Sequence, residues 1–239
     1  MKLALSLIAA SGVIYCVQVL VFRKPADTLF YMVQDLAFVP IQVLLVTLLV
    51  NEMLSRREKI QLQHKMNMVI GAFFVELGND LLAIFAELDL RADEMRQSMR
   101  VSKDWSVRDF SRARSSIRDH TYALQGRPAA FKRLKGLLTE RKPALLRLLE
   151  NPNLLEHESF TDVLWAVCHL TEELEYRSSL EDLPDVDLAH LEGDAERAYR
   201  ALASVWLAYV SHLQGQYPYM FSLVLRTNPF DPEATVGLR

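Results

Sequence analysis

The sequence predicts an all-α protein: a two-helix transmembrane hairpin whose second helix continues into a cytoplasmic helical bundle. Three observations carry this. Leu3 to Phe22 holds no charged residue, and no Gly or Pro interrupts Ile41 to Ile70. The chain after Arg56 is charged, poor in Gly and Pro, and rich in Leu, Ala, Arg and Glu, a composition that favours helix over sheet. At 239 residues there is room for an anchor and one domain of ordinary size. The expected division is a hairpin over 1–54, a cytoplasmic α-helical domain over 55–226 and a tail over 227–239.

Leu3 to Phe22 gives twenty uncharged residues, enough at helical rise to cross a hydrocarbon core of roughly 30 Å. A cleaved signal peptide is the competing reading, with Met1-Lys2 as its basic start and Ala10-Ser11-Gly12 as a weak cleavage site. The apolar run continues through Ile14 to Phe22, beyond a normal signal core, and this favours a retained helix. Arg23-Lys24-Pro25-Ala26-Asp27 breaks the pattern, and Leu29-Phe30-Tyr31 restarts it with aromatics suited to an interface. The second crossing is expected over about 29–50. Asp35 and Pro40 make its start less regular.

Positive charge sets the orientation. Lys2 and the cluster Arg56, Arg57, Lys59 and Lys65 lie on one side, with Arg23 and Lys24 on the other. The richer side is expected in the cytoplasm, so both termini are inside. Arg56, Arg57 and Lys59 then form a basic band at the membrane interface. Asp35 and Gln42, seven residues apart with Pro40 between them, are the polar candidates within the bilayer. Either Asp35 is an intramembrane acid, or the crossing starts after it and leaves it at the surface.

From Met66 the pattern is apolar again, but Glu76, Asp80 and Glu87 exclude a comfortable third crossing. These acids share one helical face, while Met68, Phe73, Leu77, Leu81, Ile84 and Leu88 fall elsewhere, as in an amphipathic soluble helix. Asn67, Gly71 and Gly78 share another face, where the glycines either let a second helix approach closely or are tolerated at some cost. Further breaks are expected near Ser102 to Asp104, at Gly126-Arg127-Pro128, at Lys142-Pro143 and at Asn151-Pro152. Ser106-x-x-Asp109 and Ser159-x-x-Asp162 resemble helix caps. Asp187 is expected to cap a long helix with an apolar stripe at Leu188, Leu191, Ala195, Ala198, Leu202, Val205, Tyr209 and Leu213.

At the end of the chain, Tyr217, Tyr219, Met220, Phe221, Leu223, Leu225 and Phe230 are unusually dense for a tail. Each contributes roughly 1.5–3 kcal/mol if fully buried. The segment from Tyr217 to Asp231 is therefore expected to dock on the bundle or on a neighbouring subunit, with Arg226 and Asn228 as polar anchors. The two apolar runs, Arg57-Glu58-Lys59, NMVIGAFF over 67–74, and the terminal YPY, FSL and RTNPFD stretches together resemble a group of uncharacterised prokaryotic two-span membrane proteins. The likeness spans nearly the whole chain. It implies a prokaryotic inner-membrane location and no particular mechanism.

Charge is divided along the chain. Arg96 to Arg147 holds fourteen Lys and Arg against four acids, and Glu150 to Arg200 holds fourteen acids against three Arg. Opposed fields favour association, so the two halves are expected to meet. The basic surface of Arg108, Arg112, Arg114 and Arg118 would contribute to that contact, or would lie against anionic lipid headgroups. No nucleic-acid motif or aromatic stacking platform accompanies the charge. The two cysteines, Cys16 and Cys168, have no partner at motif spacing, which implies no disulfide framework and a reducing compartment.

His169 stands one turn from Glu172 or Glu173, and His157-Glu158 precede it by about three turns. Carboxylate-bundle metal sites use two Glu-x-x-His copies, whereas here the order is reversed and no second copy occurs. His120, His190 and His212 also stand at no spacing matched to a known site. No metal, cofactor or catalytic constellation is therefore expected. The function expected is a non-enzymatic, membrane-anchored interaction or scaffold module, its expected partners being the lipid bilayer and further copies of the chain. One alternative is an oligomeric channel lined by the Asp35–Gln42 or the Thr47–Asn51–Ser55 face. A second is a metal-dependent helical-bundle enzyme.

Overall fold

The computed structural model describes residues 2–151, 154, 157–235 and 237. Among these every regular element is helical, and extended pairing is confined to one isolated antiparallel bridge, Asp89 with Leu124. The chain divides into two compact units, 1–61 and 62–239.

In the first unit, α1 (Lys2–Phe22) and the start of α2 (Pro25–Phe73) are joined by Arg23 and Lys24 alone. The expected five-residue break is thus two residues long. Arg23 adopts a left-handed conformation (φ 51°) and its N–H donates to the Val19 carbonyl at 2.9 Å, which closes the helix end that would otherwise leave carbonyls unpaired. Pro25 can open the next helix because a first-turn residue needs no intrahelical N–H bond. Pro40 lies inside α2 without ending it. Tyr15 on α1 donates its hydroxyl to the Asp35 carboxylate on α2 at 3.0 Å, which ties the pair of helices together. The apolar windows of both helices are 0 % buried by protein.

The second unit begins on the last turns of α2 and has a continuous core. A π-helical turn, Phe74–Gly78, joins α2 to α3 (Asn79–Leu88). The wider turn shifts the buried face, so Phe73 and Phe74 are both enclosed although they are sequence neighbours. The expected stripe is corrected at its start: Met66 and Ile70 are buried, whereas Met68 is 65 % exposed. Gly71 lies under the Tyr209 ring, and a Cβ there would stand 2.5 Å from the Tyr209 hydroxyl. Gly78 faces Phe73 and Phe74 of its own helix rather than a second one.

A turn at Asp89–Arg91, unmarked by Gly or Pro, leads to α4 (Ala92–Met99). Next comes α5 (Val107–Asp119), where the Asp109 carboxylate accepts from the Ser106 backbone at 2.8 Å and from its hydroxyl at 2.7 Å. This is the capping box that the sequence predicts. Helix α6 (Pro128–Leu149) opens on Pro128 as expected but runs through Pro143. Pro143 and Thr139 are both exposed, so the carbonyl that loses its helical partner can bond water instead. The expected break at Asn151-Pro152 involves Pro152, which lies outside the described residues.

Helix α7 (Glu158–Tyr176) is capped by His157, whose Nδ1 accepts from the Phe160 N–H at 3.2 Å, so Ser159 is inside the helix and not its cap. Likewise α8 (Asp185–Gln216) starts after Pro184, and Asp187 sits in its first turn. There it favours the positive helix end without capping it. Helix α8 packs against α3, α5, α7 and α9 (Pro218–Arg226). Its predicted stripe is buried from Leu191 to Leu213, and Tyr199, Ala203, Trp206, Leu207 and Val210 are buried as well. A helix apolar on so much of its circumference belongs at the centre of a domain.

Candidate functional site

The short connection from Tyr176 to Asp185 places α7 and α8 side by side. One turn of each carries a matched pair of polar side chains: His169 and Glu173 on α7, His190 and Asp194 on α8. Spacing of four residues puts both members of a pair on one face, and here the two faces meet. His169 Nε2 lies 3.3 Å and His190 Nε2 3.4 Å from Asp194 Oδ2, and His190 Nε2 lies 3.6 Å from Glu173 Oε2. The donor atoms of His169, Glu173 and His190 all fall within 4.8 Å of one another.

Depth varies across this cluster. The two imidazoles are about half exposed, Glu173 is partly covered, and the Asp194 side chain is 2 % exposed. Two guanidinium groups orient the carboxylates. Arg197 donates to Asp194 Oδ1 at 2.8 Å, and Arg177 donates to Glu173 Oε2 at 2.7 Å. The Arg177 hydrogen bond holds the Glu173 carboxyl below the usual range, against a smaller opposing effect of burial. Asp194 Oδ2 is left buried with no hydrogen bond among the described residues. Beside the cluster, a groove of about 670 Å³ is lined by His169, Trp165, Arg197, Arg200 and Ser204, among others. At the neighbouring Cys168, burial pushes the thiol up to about 11, which disfavours the reactive thiolate.

Sequence spacing singles out His169 with Glu172 or Glu173. The structure selects Glu173, leaves Glu172 exposed, and adds two residues that spacing alone misses, His190 and Asp194. Their four-residue step was visible, but the pairing depends on α8 lying beside α7. The remaining histidines go elsewhere. His157 caps α7, His120 bonds Asp89 at 2.8 Å in the core, and His212 meets the His64 and Tyr217 rings. Burial, and secondarily His64, lowers the His212 pKa.

The other residues marked by sequence fall into separate places. Glu76 pairs with Arg141 at 3.2 Å and Glu87 with Arg133 at 2.5 Å, while Asp80 lines a shallow groove beside Arg133. The acidic face that runs from the π-helical turn into α3 is thus met by α6. The basic and acidic halves meet where Lys142 pairs with Glu175 and where Lys135 donates to the Arg177 carbonyl. The basic surface of α5 makes no ion pair with the acidic half among the described residues. Arg112 and Arg118 pair with Asp109 and Asp119 of their own helix, and Arg108 and Arg114 are exposed. Of the membrane-interface group, Arg56 pairs with Glu52 at 2.6 Å, and Arg57 and Lys59 are exposed, as is Gln42.

The C-terminal segment docks through fewer residues than expected. Phe221 and Phe230 are buried, and Asn228 donates to the Met99 carbonyl at 2.9 Å. Tyr217 is half-buried, and Arg226 bonds back to the Ser222 carbonyl. Tyr219 is 73 % exposed, and Met220 and Leu223 also face outward. The short α9 offers the core only one face, and these three residues occupy the other.

The family described as "MJ1433, N-terminal helical domain" matches residues 1–54, and "Uncharacterized protein MJ1433, C-terminal helical domain" matches residues 62–226. The chain is 41 % identical over 234 residues to "Uncharacterized protein MJ1433" of Methanocaldococcus jannaschii, covering 98 % of this chain and 94 % of that protein. No solved structure matches it. With both matched parts in order along the chain and a relative aligned over nearly its whole length, this chain belongs to the MJ1433 family of helical proteins.

Proposed function

We propose that this protein is a membrane-anchored, self-associating interaction module: a two-span hairpin holds an α-helical domain at the cytoplasmic face of a membrane. The single observation that carries this reading is the contrast in burial. Both N-terminal apolar windows are 0 % buried by protein, whereas from Met66 onward most large apolar side chains enter one packed core. A water-soluble chain rarely leaves so much contiguous apolar surface uncovered.

Two further features support it. Asp35 lies six residues beyond Leu29, where the second crossing is expected to start, or ~9 Å of helix, within a hydrocarbon core of about 30 Å. An acid at that depth needs a partner within the protein, and the Tyr15 hydroxyl is one. The bond assigns Asp35 a role in holding the hairpin together. Self-association is supported by the outward edge of α9, where Tyr219, Met220 and Leu223 form an apolar strip.

The test is the mass of the full chain in detergent, measured by light scattering with the detergent contribution removed. The expected result is an oligomer that dissociates when Tyr219→Asp and Leu223→Asp are combined, with helicity and melting temperature retained. A monomeric wild-type chain, or an oligomer indifferent to both changes, would refute self-association through this edge.

A further inference from the structure

We propose that His169, Glu173, His190 and Asp194 bind one divalent transition-metal ion of the zinc class, clamping α7 to α8. This site is separate from the hairpin and from the α9 edge.

The spacing of the donor atoms is the first argument. Bonds of about 2.0–2.2 Å in a tetrahedral zinc site place neighbouring donor atoms about 3.3–3.6 Å apart. Of the six donor pairs, His169–Asp194, His190–Asp194 and His190–Glu173 stand 3.3, 3.4 and 3.6 Å apart, and the donor atoms of His169, Glu173 and His190 lie within 4.8 Å of one another. A charge-assisted hydrogen bond would be shorter, about 2.7–2.9 Å, so these distances suit atoms that share a cation better than atoms that share a proton.

The second argument is Asp194 Oδ2. It is buried, it points between two imidazole nitrogens, and it has no hydrogen bond among the described residues. A buried carboxylate oxygen that makes no hydrogen bond is costly, and a bound cation would satisfy it. The third argument is the support around the donors. Arg197 holds the other Asp194 oxygen, and Arg177 holds Glu173. Outer contacts of this kind fix the orientation of metal ligands, and a carboxylate oxygen has lone pairs for both Arg177 and a metal.

Ligand chemistry selects the class of ion. Two imidazoles with two carboxylates suit zinc and its first-row neighbours. Calcium takes six to eight oxygen ligands, and magnesium prefers octahedral oxygen and water. Because His169 borders the groove as well as the cluster, the ion would be reachable from solvent and exchangeable.

The test is zinc binding by the full-length protein, purified in detergent without a histidine tag and titrated against a chromophoric chelator. One zinc per chain is expected, together with a rise in melting temperature, and cobalt(II) in its place should give the intense visible bands of a tetrahedral centre. His169→Ala and His190→Ala, both at half-exposed positions, should fold normally by circular dichroism and weaken binding by at least 100-fold. Arg197→Gln should weaken it about 10–100-fold. His157→Asn, which keeps a capping side chain away from the cluster, should leave it unchanged. A dissociation constant above 100 µM in the wild type, or zinc affinity insensitive to His169→Ala and His190→Ala, would overturn the proposal.

Discussion

Phe230→Ala is expected to destabilise the domain by about 3–5 kcal/mol, the range for truncating a fully buried aromatic side chain. Phe230 lies thirteen residues beyond Tyr217 yet is 1 % exposed. Its ring meets Trp206 edge-on at 5.3 Å and stacks with Tyr199 at 6.4 Å. Asn228 anchors the approach: its side chain donates to the Met99 carbonyl and accepts from the Phe230 N–H at 3.0 Å. Alanine would leave a cavity against α8 and weaken the docking of the whole terminal segment. By contrast, removing the chain from Glu233 onward should cost little. The Arg100–Glu233 pair it eliminates is exposed on both sides, and such pairs contribute little. Urea unfolding of both variants, followed by tryptophan fluorescence, measures the difference. A loss under 1 kcal/mol for Phe230→Ala would show that the end of the chain is not part of the core.

Asp89→Ala should be nearly as damaging, by about 3 kcal/mol, because it strands several buried donors at once. The Asp89 side chain is fully enclosed. Its Oδ2 lies 2.8 Å from His120 Nε2, and its Oδ1 accepts from the Arg91 and Ala123 N–H groups at 3.0 and 3.3 Å. Around it, Leu90 N–H donates to the Ala123 carbonyl and Gln125 N–H to the Leu88 carbonyl. One carboxylate therefore fastens the α3–α4 turn to the segment between α5 and α6. Asp89→Asn should cost less, since it keeps an acceptor oxygen. A double-mutant cycle with His120→Ala should give a coupling of at least ~1 kcal/mol, as for residues sharing one network. Additive effects would show that the two side chains act separately.

Elements announced by local signals were legible in the sequence. The uncharged run to Phe22, Pro128 at a helix start, the Ser106–Asp109 box and the stripe from Leu191 to Leu213 each depend on neighbours along the chain. What escaped was set by tertiary packing. The turn after Asp89 contains no Gly or Pro, and contacts from 123–125 hold it. The π-helical turn at Phe74–Gly78 arises where two adjacent phenylalanines must both be buried, a conflict that a fixed helical period does not express. Pro143 signals a break, but its exposure lets the helix continue. The His169–Asp194 cluster was legible only by half, because a search for Glu-x-x-His copies passes over two four-residue pairs that meet between helices.

The proposed topology is tested most directly by cysteine labelling in intact cells. In a chain carrying Cys16→Ala and Cys168→Ala, single cysteines are placed at Lys24→Cys, between α1 and α2, and at Gly237→Cys, near the C-terminus. On the proposed topology, the excess of Lys and Arg beyond the second span would place the C-terminus in the cytoplasm. A membrane-impermeant maleimide should therefore label Lys24→Cys in intact cells and Gly237→Cys only after the membrane is opened. Labelling of Gly237→Cys in intact cells would contradict a two-span hairpin carrying a cytoplasmic domain.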